Sequence, residues 1–118
     1  MHVYRTHNCA ELRDSDVDKS VRLSGWIHRK RDHGQLVFID LRDHFGLTQC
    51  VVDSSDISFV LVEATRIESV VTITGTVLQR SDETINDSLP TGQVEIRIEH
   101  FEIQSAAEPL PLQVNSDE

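Results

Sequence analysis

No apolar run in these 118 residues approaches the ~20 that a membrane-crossing helix requires. The opening MHVYRTHNC also lacks the hydrophobic stretch of a secretion signal, so a cytoplasmic location is the expectation. Cysteine is scarce: Cys9 and Cys50 are the only two, and neither falls in a CxxC or in a spacing that pairs with histidine as zinc ligands do. Both read as small buried apolar residues, and no metal site is expected. Catalytic constellations are missing as well, because no histidine or carboxylate pair has the surroundings of an acid and its base. Positive charge is short overall, and a formal net charge of -9 argues at first sight against a nucleic-acid partner.

The distribution of charge weakens that objection. Residues 1–52 hold eight Lys or Arg against seven Asp or Glu, while residues 53–118 hold three against thirteen. Exposed charges further apart than ~8 Å are largely screened at physiological salt, so a local basic patch can act against an acidic background. The length suits one domain with one modest core, burying roughly two-thirds of the unfolded surface.

From Ser20 the chain alternates, with Val21, Leu23, Gly25 and Ile27 on one face. Gly25 within this first strand suggests a bulge or sharp coil there. The run Arg29-Lys30-Arg31-Asp32-His33-Gly34 breaks the pattern and reads as a basic hairpin loop, turned at Gly34. A second strand, Gln35 to Arg42, puts Val37, Ile39 and Leu41 inward and leaves Phe38 out of phase with the core. A turn at Asp43 to Gly46 leads to strand three, Leu47 to Val52, where Gln49 is assigned to the Phe38 face. Ser54-Ser55-Asp56 offers caps for a helix whose apolar positions are Ile57, Val60, Leu61, Ala64 and Ile67. Strand four spans about Ser69 to Leu78 with Val71, Ile73, Gly75 and Val77 inward, and a polar loop covers Gln79 to Gly92. Strand five carries Val94, Ile96 and Ile98 inward, then slips phase at Glu99-His100 to Phe101 and Ile103, which predicts a bulge. Residues 1–105 are taken as the domain. Residues 106–118, with Pro109 and Pro111, read as the start of a linker to an absent further domain.

Five strands with a helix between the third and fourth is the order of an all-β Greek-key barrel of the OB-fold type. Such barrels bind oligonucleotides on strands two and three, between the loops that join strands one to two and four to five. Arg29, Lys30, Arg31 and His33 fall in the first of these loops, Phe38 and Gln49 on the strand surface, and Arg80 in the second loop. A flat ring stacks on a base for roughly 1–3 kcal/mol regardless of sequence, and cations neutralise phosphates. An amide both donates and accepts, so it can read an unpaired base's edge.

The stretch GWIHRKRDHGQLVFIDLRDHFGLTQCV closely resembles the anticodon-binding domain at the N-terminus of bacterial-type aspartyl-tRNA synthetases. The likeness extends through TITGTV (72–77), TGQVEI (91–96) and PLP (109–111). FIDLRD recurs in the related Asp, Asn and Lys synthetases, while RKRDHG with the downstream Gln49 points to the aspartate branch. The resemblance implies that Phe38 stacks on the central uracil of the anticodon and Gln49 reads its edge. Arg31 would contact anticodon bases, Arg80 the RNA backbone, and Glu95 the guanine-type base at the first anticodon position. His33, where strict aspartate enzymes tend to have Leu, and Glu83, where they often have Lys, resemble the relaxed group that charges both aspartate and asparagine tRNAs. The implied partners are tRNA(Asp) and also tRNA(Asn), with a homodimeric parent enzyme. ATP and Mg2+ would serve a catalytic domain outside this chain, which would itself bind RNA without catalysis or cofactor. Two competing readings are an independent single-strand-binding OB protein and a structural barrel that mediates protein association.

Overall fold

The computed structural model describes residues 6–81, 84–89 and 91–105. Among them are five strands, β1 (Ser20–Asp32), β2 (Leu36–Arg42), β3 (Leu47–Asp53), β4 (Val70–Gln79) and β5 (Val94–Ser105), with a 3-10 turn at Asp14–Asp16 before β1 and one α-helix, α1 (Phe59–Ala64), between β3 and β4. The strands close into a barrel in the order β1-β2-β3-β5-β4. Four of the pairings are antiparallel, and a short parallel contact of β3 with β5, at Cys50↔Ile96 and Val51↔Arg97, completes the ring. Closure gives every strand two neighbours over at least part of its length.

Period-two alternation fills the interior. Val37, Ile39 and Leu41 of β2 and Val71, Ile73 and Val77 of β4 are fully buried, as the sequence pattern requires. Cys9 and Cys50 lie in this core, and burial pushes the Cys50 thiol far above its ordinary range. Tight coiling needs glycine at two strand crossings. A Cβ on Gly25 would run into the Arg42 carbonyl oxygen, and one on Gly75 into that of Arg97.

Strand β1 runs further than its sequence pattern indicates. Arg29, Lys30 and Arg31 belong to the strand, paired with Asp40, Ile39 and Phe38 of β2, and not to a loop. The turn is confined to His33-Gly34-Gln35, with Gly34 at φ 81°. The expected bulge at Gly25 falls instead at His28, where the register steps from Ile27↔Leu41 to Arg29↔Asp40. The bulge expected in β5 lies at Glu99, between the pairs Gly75↔Ile98 and Thr74↔His100. Phe101 is buried beyond it, while Ile103, past the stretch that pairs with β3, is 40% exposed.

The His28 bulge reverses the phase of everything after it. Val21, Leu23, Gly25 and Ile27 point inward, yet Arg29 and Arg31 point outward and Lys30 lies on the inner side, at the end of the barrel. There the Lys30 Nζ donates to the carbonyl oxygens of Glu63 and Thr65 at 2.6 and 2.7 Å. These are groups at the C-terminal end of α1 that lack helical partners. Partial burial holds the Lys30 ammonium below its usual pKa.

The core face of α1 differs from the one its apolar spacing suggested. Val62 is buried and Phe59 packs on the core, whereas Ile57, Val60, Leu61 and Ile67 are exposed, Ile57 by 93%. A helix of six residues cannot hold itself together. Its orientation is set by where Phe59, Val62 and the Lys30 tether meet the barrel, and not by the number of apolar residues on each side. Lys30→Met should therefore lower stability by roughly 1–3 kcal/mol, read as a lower urea midpoint with unchanged slope. A variant as stable as the wild type would contradict the tether.

Candidate nucleic-acid interface

Outward-facing residues of β1, β2 and β3 meet on one surface. Because directly paired residues share a face, Arg31 stands beside Phe38, Phe38 beside Val51, and Asp40 lies between Arg29 and Gln49. Phe38 is half-buried on the barrel's exterior. The Arg31 guanidinium carbon lies 5.8 Å from the centre of its ring, within cation–π range. His33, from the turn, approaches the same ring edge-on, with centroids 5.3 Å apart and planes at 85°.

Gln49 is on this face as expected, but it is only 6% exposed and both ends of its amide are engaged. Its Oε1 accepts from Arg31 Nη2 at 2.9 Å, and its Nε2 donates to Glu95 Oε1 of β5 at 2.8 Å. Arg31 Nη2 also donates to Asp40 Oδ1 at 3.1 Å, which makes an ion pair. The Nε of Arg31 is buried without a hydrogen-bond partner among the described residues.

Arg80 is buried and structural in its contacts. Its Nε donates to the Val94 carbonyl at 3.0 Å and its Nη1 to that of Thr84 at 2.9 Å, which staples the β4–β5 loop to the start of β5. Burial lowers its pKa, opposed by the nearby Glu95 and Asp40 carboxylates. Arg31, His33, Phe38, Gln49 and Arg80, together with Thr84 and Asn86, line one cleft of about 270 Å³. Arg29 is exposed on the same face outside that lining, and Glu95 reaches the cleft through Gln49. Glu83 lies outside the described residues.

Two sets of residues were missed in sequence. Asp40 alternates with Phe38 along β2, so its placement was readable, although nothing in the pattern gave it a partner. Thr84 and Asn86 come from a loop with no period. The surface they complete offers a half-buried aromatic ring, guanidiniums and amides within one small concavity, with the Asp40 and Glu95 carboxylates bonded to Arg31 and Gln49 beside it. Such a set is suited to a planar, polar-edged ligand with negative charge nearby.

Comparison with known proteins places this geometry. A family model described as "OB-fold nucleic acid binding domain" matches residues 21–104. Curated relatives include the "Aspartate--tRNA(Asp/Asn) ligase" of Paramagnetospirillum magneticum, 55% identical over 118 residues, covering 100% of this chain and 14% of the relative. The protein of that name from Phenylobacterium zucineum is 58% identical over 114 residues, covering 97% of this chain and 19% of the relative. Among solved structures, asparaginyl-tRNA synthetase from Pyrococcus horikoshii superposes with a TM-score of 0.75 at 26% identity, over 96% of this chain and 26% of that one. The chain thus spans between about one-seventh and one-fifth of the length of these ligases. With the barrel, its cleft and a family match over most of the sequence in agreement, this chain belongs to the family of OB-fold nucleic acid binding domains.

Proposed function

We propose that this chain is the anticodon-binding module of an aspartate-tRNA ligase. The observation that carries the reading is the Phe38 ring, held on the barrel's exterior beside Arg31 and within one cleft with Gln49. An unpaired anticodon base stacks on that ring, and its edge meets the donors and acceptors of Arg31, Gln49 and Glu95. Arg29 supplies phosphate attraction from the same face, and Arg80 holds the β4–β5 loop against the cleft. The relatives' ligase names favour tRNA as the partner over an arbitrary single strand or a protein.

In this reading residues 1–105 form the recognition domain, and residues 106–118 lead toward the part of the ligase that joins aspartate to tRNA. The ATP and Mg2+ of that reaction belong to the share of the relatives' length that this chain does not span. The parent enzyme is homodimeric and works in the cytoplasm. Its specificity is relaxed, covering tRNA(Asp) and tRNA(Asn). Relatives named for both tRNAs support this, as does the small polar ring of His33 against Phe38, with Glu83 as its companion in sequence.

Titration with the aspartate and asparagine anticodon hairpins and with a generic oligonucleotide of equal length, at two salt concentrations, tests the proposal. Both hairpins should bind in preference to the oligonucleotide. Phe38→Ala should weaken hairpin binding by roughly tenfold or more, and Arg31→Ala should also flatten the salt dependence. Equal affinity for hairpin and oligonucleotide would refute anticodon recognition. A strong preference for C over U at the third anticodon position would refute relaxed specificity alone.

A further inference from the structure

Four side chains at the centre of the recognition face form one hydrogen-bonded line, Asp40–Arg31–Gln49–Glu95. A guanidinium has only donors and an ionised carboxylate only acceptors. The amide between Arg31 and Glu95 therefore has a single orientation that satisfies both neighbours, with its carbonyl toward Arg31 and its NH2 toward Glu95. Rotating it by half a turn would set donor against donor and acceptor against acceptor. At the other end of the line Asp40 accepts from the same Arg31 nitrogen that donates to Gln49.

Asp40 is an odd residue for such a surface. It is central, paired across β1 and β3 with Arg29 and Gln49, and its side chain is 13% exposed. A carboxylate there repels phosphate, so a face built only to attract a polyanion would do better without it. Its neighbour Arg31 is a long side chain, 37% exposed, with many rotamers to lose before it can address one base.

The geometry points to Asp40 as the positioning residue of the interface. It holds the Arg31 guanidinium beside the Phe38 ring and, through Arg31, fixes which end of the Gln49 amide faces which way. It thereby gives up generic attraction for RNA in exchange for discrimination between bases. This inference rests on the anticodon-binding reading above.

Asp40→Asn tests it, since the swap keeps the shape and removes the charge. The aspartate anticodon hairpin and a generic oligonucleotide of equal length are titrated against wild type and variant. If Asp40 positions Arg31, affinity for the hairpin falls by about tenfold, the scale of one good base contact, while affinity for the oligonucleotide stays level or rises. In an Arg31→Met background the same substitution should leave the ratio of the two affinities unchanged, because there is no guanidinium left to hold. Should Asp40→Asn strengthen binding of both RNAs by the same factor, Asp40 is only a surface charge and the inference is wrong. A wild type with no hairpin preference would overturn the anticodon reading and this inference with it. Independently of any variant, the wild-type Arg31 guanidinium should show hindered rotation in nitrogen-15 spectra, and a freely rotating group would contradict its being held.

Discussion

One inserted residue, His28, determines what this barrel can present. Up to Ile27 the odd positions of β1 build the core. Without the bulge that phase would continue, sending Arg29 and Arg31 toward the interior and Lys30 to the outside. With it, two guanidiniums emerge beside Phe38 and Asp40, and the single ammonium turns to the barrel's end, where α1 needs a donor for its last carbonyls. The same three-residue basic run is thus split between the candidate recognition face and the support of α1, divided by alternation of the strand.

The two guanidiniums that line the cleft are already engaged. Arg31 is engaged by Asp40 and Gln49, and Arg80 by two backbone carbonyls. Two carboxylates, Asp40 and Glu95, sit among them. A surface so balanced attracts a polyanion weakly over distance, in keeping with a chain of net charge -9. What it offers is local: a stacking ring with donors and acceptors already oriented by one another. In the proposed function those internal hydrogen bonds stay in place and hold the side chains that a base would meet. A base whose edge does not match the groups so held would leave polar groups unpaired on burial, and in that reading this penalty supplies the discrimination.

Much of the barrel was legible in sequence because burial imposes a period. The inward residues of β2 and β4, the outward phase of Phe38, the turn at Gly34 and the slip near Glu99 all follow from alternation or from glycine. Legibility failed where neither face is apolar. The charged end of β1 has no period-two signal, so it reads as loop although its backbone is fully paired with β2. In α1 the apolar spacing suggested the wrong side, since Phe59 and Val62 make the core contact and the larger apolar set stays in water. The burial of Gln49 and Arg80 was not visible because their partners, Glu95, Val94 and Thr84, are supplied by the β4–β5 loop and β5 once the barrel has closed.

The account depends on the Phe38 ring being the platform on which a base stacks. Proton NMR of that ring during titration with the aspartate anticodon hairpin tests this most directly. Stacking predicts upfield ring-current shifts of the Phe38 protons and cross-peaks from them to one pyrimidine of the loop. Phe38 resonances that stay in place while signals elsewhere on the barrel move would contradict it.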